Sequence, residues 1–202
     1  MKNILEAPFI VEMCETTANM YRQGWDERNG GNISCLLNAE EVAEYLDLNN
    51  VIRTIPTGFD ATKLAGRIFI VTGTGKYFKN VIKDPETNLG IVRIAKDGTT
   101  AELLWGFRDG GKFTSEFPAH MMSHIARLEQ DPDHRVVAHS SSTSASSLSL
   151  KTAEKHNFSS LGRSEHSSLH NLSGSIGTVR STKYTDVPRS RASQSTTESG
   201  RT

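Results

Sequence analysis

The chain predicts an α/β fold: a layered domain with a largely antiparallel or mixed central sheet flanked by helices, incomplete at its C-terminal end. Three observations support this. Amphipathic helical patterns stand at both ends of a series of short β-rich segments, and Lys96-Asp97-Gly98 gives a tight hairpin signal between two of them. The third is a break in composition at His139: residues 1–139 contain three serines, whereas residues 140–202 contain nineteen serines and eight threonines. The domain is therefore assigned to 1–139 and a Ser/Thr-rich tail to 140–202.

In chain order, Ile10, Met13, Cys14, Thr17, Met20 and Tyr21 recur at three- and four-residue spacing and predict a helix over 7–23, with Gly24 as its C-terminal cap. That helix delivers the run Trp25-Asp26-Glu27-Arg28-Asn29-Gly30-Gly31-Asn32. Residues 33–37 read as a strand, and Asn38 with Glu41 three residues on starts a short helix through Leu46 as a capping box. Residues 67–72 are β-branched and aromatic, a strand ending in a second glycine turn, Gly73-Thr74-Gly75. Residues 89–95 and 100–106 are the arms of the hairpin. Thr114 or Ser115 caps a helix over 116–129 with Pro118 tolerated in its first turn, and 135–139 is a short strand running into the core. From 140 onward only ten residues are Leu, Ile, Val, Phe or Tyr, with no sustained period of 2 or 3.6. So few cannot offset an ordering cost of about 1–2 kcal/mol per residue, and the tail is expected to be disordered.

Charge divides at the same point. Residues 1–139 carry 15 Lys and Arg against 19 Asp and Glu, and residues 140–202 carry 8 against 4, so neither part is basic enough to argue for nucleic acid. Cys14 and Cys35 form no disulfide framework or CxxC pair, which suits a reducing compartment. Glu6 and Glu12 interrupt any N-terminal apolar stretch, and no run approaches the roughly 18 apolar residues needed to span a bilayer. A cytoplasmic protein with no membrane partner is expected.

The chemistry concentrates in three small loops. Gly30 and Gly31 let the backbone approach a small anion, while Asn29 and Asn32 place carboxamide N–H donors at the rim. A plain Gly-Gly turn with a left-handed Asn is the alternative. Gly73-Thr74-Gly75-Lys76 follows a strand but is neither a P-loop nor a dinucleotide fingerprint, so a strand-ending turn explains it equally well. Thr114-Ser115-Glu116 opens a helix, where free N–H groups favour an anion and where capping alone would also account for the hydroxyls. Glu116, His120 and His124 share a helix face, but two turns separate the ends, too far for one metal ion; His120 and His124 are expected to be solvated or packed. Glu116 stands beside the anion loops as a candidate proton acceptor, and His139 ends a strand, where a histidine is commonly a satisfied core residue.

Taken in order, Gly24 to Asn32, Phe69 to Lys76, Asn88 to Val92, Leu104-Trp105-Gly106 and Thr114 to His120 resemble the zinc-dependent class II aldolase family, in its rhamnulose-phosphate branch. The resemblance covers 1–139. It implies cleavage of a phosphorylated ketose, L-rhamnulose 1-phosphate, into dihydroxyacetone phosphate and L-lactaldehyde by a homotetramer. It further implies that Asn29, Gly30, Gly31, Asn32, Gly73, Thr74, Gly75 and Ser115 form the phosphate pocket and that Glu116 is the catalytic acid/base. A Zn²⁺ ion held by three histidines would act as Lewis acid, two of them forming an H-x-H pair at the end of a strand. His139 matches the first of that pair, but Ser140 and Ser141 follow it, so the second is missing. This departure coincides with the break in composition and favours a shifted reading frame or a damaged gene over an evolved tail. The sequence thus implies an aldolase lineage whose chain is impaired, with a non-catalytic phosphosugar-binding or assembly fragment as the alternative. A Ser/Thr-rich interaction tail on an inert domain is the third reading.

Overall fold

A computed structural model describes residues 1–26 and 28–140 and a two-residue strand at 176–177. The expectation of a disordered tail falls on residues outside this described set, apart from Ser140 and that strand.

The first helix, α1 (Pro8–Arg22), begins with proline in its first turn and buries Phe9, Ile10, Met13, Cys14, Thr17 and Ala18 along one stripe. Its end is a Schellman motif: Gly24, with φ +72°, donates its N–H to Tyr21 O, and Trp25 N–H donates to Met20 O. This turns the chain sharply into the first glycine loop. There follow β1 (Asn32–Leu37), α2 (Ala39–Ala43), β2 (Arg53–Pro56), β3 (Ile68–Thr72), α3 (Phe78–Val81), α4 (Pro85–Asn88), β4 (Leu89–Ile94), β5 (Thr100–Gly106), α5 (Phe117–Leu128), β6 (Val136–His139) and β7 (Ile176–Gly177). The strands form one sheet in the order β2-β5-β4-β3-β1-β6-β7. Every neighbouring pair is antiparallel, so of the two expected arrangements the sheet takes the antiparallel one.

Alternation along the strands divides the interior in two. Ile33 and Leu37 of β1, Ile68 and Ile70 of β3, and Leu89 and Ile91 of β4 pack with α1 and with Phe78 and Val81 of α3. Leu36, Phe69, Val71, Val92, Ile94 and Leu103 point to the other side, against Phe117 and Met121 of α5. The central strand β3 is thus buried on both faces, each of its large apolar side chains contributing roughly 1.5–3 kcal/mol. A bulge shifts the β4–β5 register from Ile91 opposite Trp105 to Val92 opposite Leu103; Leu104 and Trp105 both join the α1 side. Just past β5, Phe107 adopts φ +45° and is buried over Gly90, where a Cβ would lie 2.2 Å from its ring.

Three expectations are corrected. The helix after Asn38 ends at Ala43 instead of Leu46, and Asn38 caps it through Glu40 N–H at 2.8 Å without the reciprocal Glu41 bond of a capping box. The last helix starts at Phe117, with Glu116 as its N-cap residue and no side-chain cap; Thr114 Oγ1 accepts from Glu116 N–H at 3.3 Å, shaping the turn ahead of it. β2, α3 and α4 were not anticipated, since β2 buries only Ile55 and carries Pro56, as an edge strand can.

Candidate active site

The first loop is organised by a buried carboxylate. Asp26 is 4 % exposed; its Oδ1 accepts from Gly31 N–H at 2.7 Å and its Oδ2 from Phe78 N–H at 3.2 Å. Burial pushes its pKa up, and the two amide donors pull it back. Gly31 is required by this closure, because a Cβ would lie 2.7 Å from Asp26 Oδ1 and 3.0 Å from the Phe78 ring. Its N–H is committed to Asp26 and its missing side chain to the close packing of Asp26 and Phe78, so Gly31 shapes the loop from within. Arg28, at φ +59°, is the left-handed residue of the turn, not an asparagine. Asn29 is exposed and Gly30 half-buried just ahead of it.

The sheet gathers the remaining candidates at one end. Asn32 opens β1 opposite His139, the last residue of β6. Thr72 closes β3, and its Oγ1 accepts from Ile33 N–H at 3.0 Å. Gly73 bridges to Phe113, Thr74 N–H donates to Lys112 O and Thr114 N–H to Thr72 O, so the second glycine turn is laced to the strand-like segment leading into Ser115 and Glu116. Gly73 N–H itself is donated to Asn88 O. The N–H groups of Gly75 and Ser115, both exposed residues, have no acceptor among the described residues. Glu116 Oε2 lies 2.7 Å from His139 Nδ1, and Asn32 Nδ2 approaches the same atom at 3.4 Å. The shorter contact fixes the proton, so Nδ1–H donates to Glu116 and the Asn32 amide is left with N–H capacity. Glu116 keeps 42 % of its side chain exposed, which leaves its other lone pairs open to a ligand.

Beneath this rim lies a buried polar seam. His120 Nε2 bonds Asn32 Oδ1, while Ser34 Oγ meets His120 Nδ1 at 2.7 Å and His124 Nε2 at 2.9 Å. Both histidines are therefore packed, one of the two expected environments. Burial lowers their pKa values, to about 4 for His120 with His139 assisting and to about 3 for His124 with His134 and His120 assisting. Both imidazoles are neutral at physiological pH.

Of the residues singled out from the sequence, Asn32, Glu116 and His139 stand together in one cluster, with Gly73, Thr74 and Ser115 on adjoining backbone. Asn29, Gly30 and Gly75 make no hydrogen bond to them among the described residues. Asp26 and Ser34 were missed: a lone carboxylate in a loop and a small residue in a strand carry no periodic signal.

As for a metal, the described residues contain no group of three His, Cys, Asp or Glu able to hold one. His139 and Glu116 supply two donors, where a catalytic zinc takes three protein ligands. The described residues do not fit the zinc that the resemblance implies.

The carboxylate–imidazole pair and the two glycine turns thus stand at one end of an antiparallel sheet with helices on both faces. The chain belongs to the family described as class II aldolase and adducin N-terminal domain, whose profile matches residues 11–191. It is 61 % identical over 142 residues to a rhamnulose-1-phosphate aldolase of Listeria monocytogenes serovar 1/2a, covering 70 % of this chain and 52 % of that one. With a rhamnulose-1-phosphate aldolase of Enterococcus faecalis the identity is 59 % over 137 residues, 68 % of this chain and 49 % of that one. The chain spans about half the length of the curated relatives it matches. Among solved structures, a sugar-phosphate aldolase from Thermotoga maritima superposes with a TM-score of 0.58 at 25 % identity, over 73 % of this chain and 63 % of that one. No helix among the described residues is long and apolar enough to cross a membrane.

Proposed function

We propose that this chain is the N-terminal part of an aldehyde-lyase acting on L-rhamnulose 1-phosphate, releasing dihydroxyacetone phosphate and L-lactaldehyde. The carrying observation is the 61 % identity to a rhamnulose-1-phosphate aldolase, combined with the bonded cluster of Asn32, Glu116 and His139 beside the glycine turns. In this reading the phosphate is taken by the free N–H groups of Gly75 and Ser115, the hydroxyls of Thr74 and Ser115, and the carboxamides of Asn29 and Asn32. Gly30, Gly31 and Gly73 let the two turns fold tightly beside it. Glu116 Oε, oriented by His139 Nδ1–H, moves the proton at the carbon that becomes the enediolate of dihydroxyacetone phosphate. Cytoplasmic location suits the free cysteines Cys14 and Cys35, and a homotetramer is the assembly that the resemblance implies.

Polarising the ketone is the task of the family's zinc, and among the described residues His139 is its one candidate histidine ligand, beside Glu116. The chain is therefore expected to bind zinc weakly and to turn over little substrate while keeping affinity for the phosphorylated product. Metal analysis of the purified chain, with a retro-aldol assay on rhamnulose 1-phosphate, tests this. One tightly held zinc per chain together with turnover would overturn the impaired-enzyme reading. The alternative, a phosphosugar-binding fragment, is favoured by the two-donor cluster; phosphate affinity with no turnover after the missing half is restored would establish it. Translating the neighbouring frames from codons 139–141 should recover H-x-H and strand periodicity if the reading frame has slipped.

A further inference from the structure

On β1, Asn32 and Ser34 are two residues apart and so share a face, about 6.8 Å from each other along an extended strand. On α5, His120 and His124 are four apart and share a face at about 6 Å. The two spacings match, so the strand pair and the helix pair mesh: Asn32 bonds His120, and Ser34 bridges His120 and His124. All four are nearly solvent-free, at 4, 1, 2 and 0 % exposure. The Phe69 ring lies 4.9 Å from His124 on one side and the buried His134 ring 5.0 Å away on another. A buried polar seam of this kind costs stability unless its donors are paired.

The pairing has a direction. Each neutral imidazole carries one N–H, and two polarities are conceivable. In the first, His124 Nε2–H donates to Ser34 Oγ, Ser34 O–H to His120 Nδ1, and His120 Nε2–H to Asn32 Oδ1. The chain then ends on the bare lone pair of His124 Nδ1, an atom without a partner among the described residues. In the second, Asn32 Nδ2 donates inward and every bond reverses, leaving a buried His124 Nδ1–H with no acceptor. Orphaned buried N–H groups are the rarer and costlier defect, so the first polarity is preferred.

We infer that Ser34, His120 and His124 are positioning residues: a one-way relay from the core that pins Asn32 Oδ1 inward and so turns its Nδ2 hydrogens toward the anion site beside Glu116 and His139. The seam decides whether an incoming phosphate meets a donor or a repelling carbonyl. This deepens the proposed function and rests on it only where phosphate is concerned.

Histidine tautomers are read directly by long-range ¹H–¹⁵N correlation on the ¹⁵N-labelled full chain at neutral pH. Both His120 and His124 should be Nε2–H; finding either as Nδ1–H overturns the relay. Binding of inorganic phosphate, followed by titration of the same spectra, gives the second arm. Ser34→Ala should weaken it about tenfold, the effect of misdirecting one charge-assisted hydrogen bond, and Ser34→Thr should restore it to within about twofold. Ser34→Ala with unchanged phosphate affinity, in a chain whose thermal unfolding is still cooperative, overturns the positioning role. Failure of the unaltered chain to bind phosphate would instead sink the proposed function, and the tautomer result would then decide the relay on its own.

Discussion

The two faces of the sheet are built from the same strands and differ in kind. Toward α1 the interior is apolar, with Ile33, Ile68, Ile70, Leu89 and Ile91 against Ile10 and Met13. Toward α5 an apolar layer around Phe69, Val71 and Phe117 is crossed by Asn32, Ser34, His120 and His124. A fold that needed only stability would have no use for the second arrangement. The contrast shows that α5 serves two ends, closing the core along Phe117 and Met121 and holding the site from below along His120 and His124.

The largest effect should come from the apolar face. Ile70→Ala is expected to lower unfolding free energy by about 2–5 kcal/mol, measured by urea denaturation, because the fully buried side chain leaves a cavity that β3 cannot close. Ser34→Ala combined with His120→Leu and His124→Leu, which removes the seam beneath Asn32 as a unit, should cost less. Equal losses would erase the distinction between the faces.

Asp26→Ala comes next. It strips the acceptor from two buried amides, Gly31 and Phe78, each worth about 1–3 kcal/mol when left unpaired, and should destabilise the first loop before the sheet. Amide exchange at Gly31 and Phe78 faster than at Ile70 would confirm the order.

Between about pH 6.5 and 5, acid should then act mainly through the α5 face. His120 and His124 have folded pKa values below the ordinary 6.5, so the unfolded chain takes up protons first. Their contribution is whole above about pH 6.5 and is lost as pH falls toward 4, by about 1.4 kcal/mol per unit for each histidine that stays neutral. His134, also lowered by burial, adds to the slope, while Asp26, raised by burial, opposes it at the acid end. Stability measured from pH 6.5 to 5 should fall, and His124→Leu should flatten the fall by about one proton. An unchanged slope in that variant would mean that the seam does not titrate as a buried unit.

Smallest of all, Glu116→Gln should leave stability within about 0.5 kcal/mol and phosphate affinity nearly unchanged, as suits a half-exposed group. In an intact relative the matching change should lower turnover by roughly 10²–10⁴. Equal losses in binding and turnover would point to a structural role.

The legible parts of the fold were those with dense local signals. The helix ending at Gly24, the doubly buried β3 and the β4–β5 hairpin around Gly98 all announce themselves within a dozen residues. The edge strand β2 did not, since one buried side chain and a proline leave no alternation to read. At the site the same rule held. His120 and His124 showed their common face, but their partners Asn32 and Ser34 lie some 90 positions earlier, and nothing local reports that meeting. Asp26 gains its meaning from Phe78, 52 residues away.

Gly90 and Phe107 occupy one space, and this limits how the sequence can drift. Any side chain at position 90 would strike the Phe107 ring, so that position cannot change first. Shrinking Phe107 first opens a cavity costing about 3–5 kcal/mol, a large share of the roughly 5–15 kcal/mol that holds a typical domain together. Neither single step is cheap, and the two residues should be inherited as a pair: descendants that have lost one should be found to have lost both.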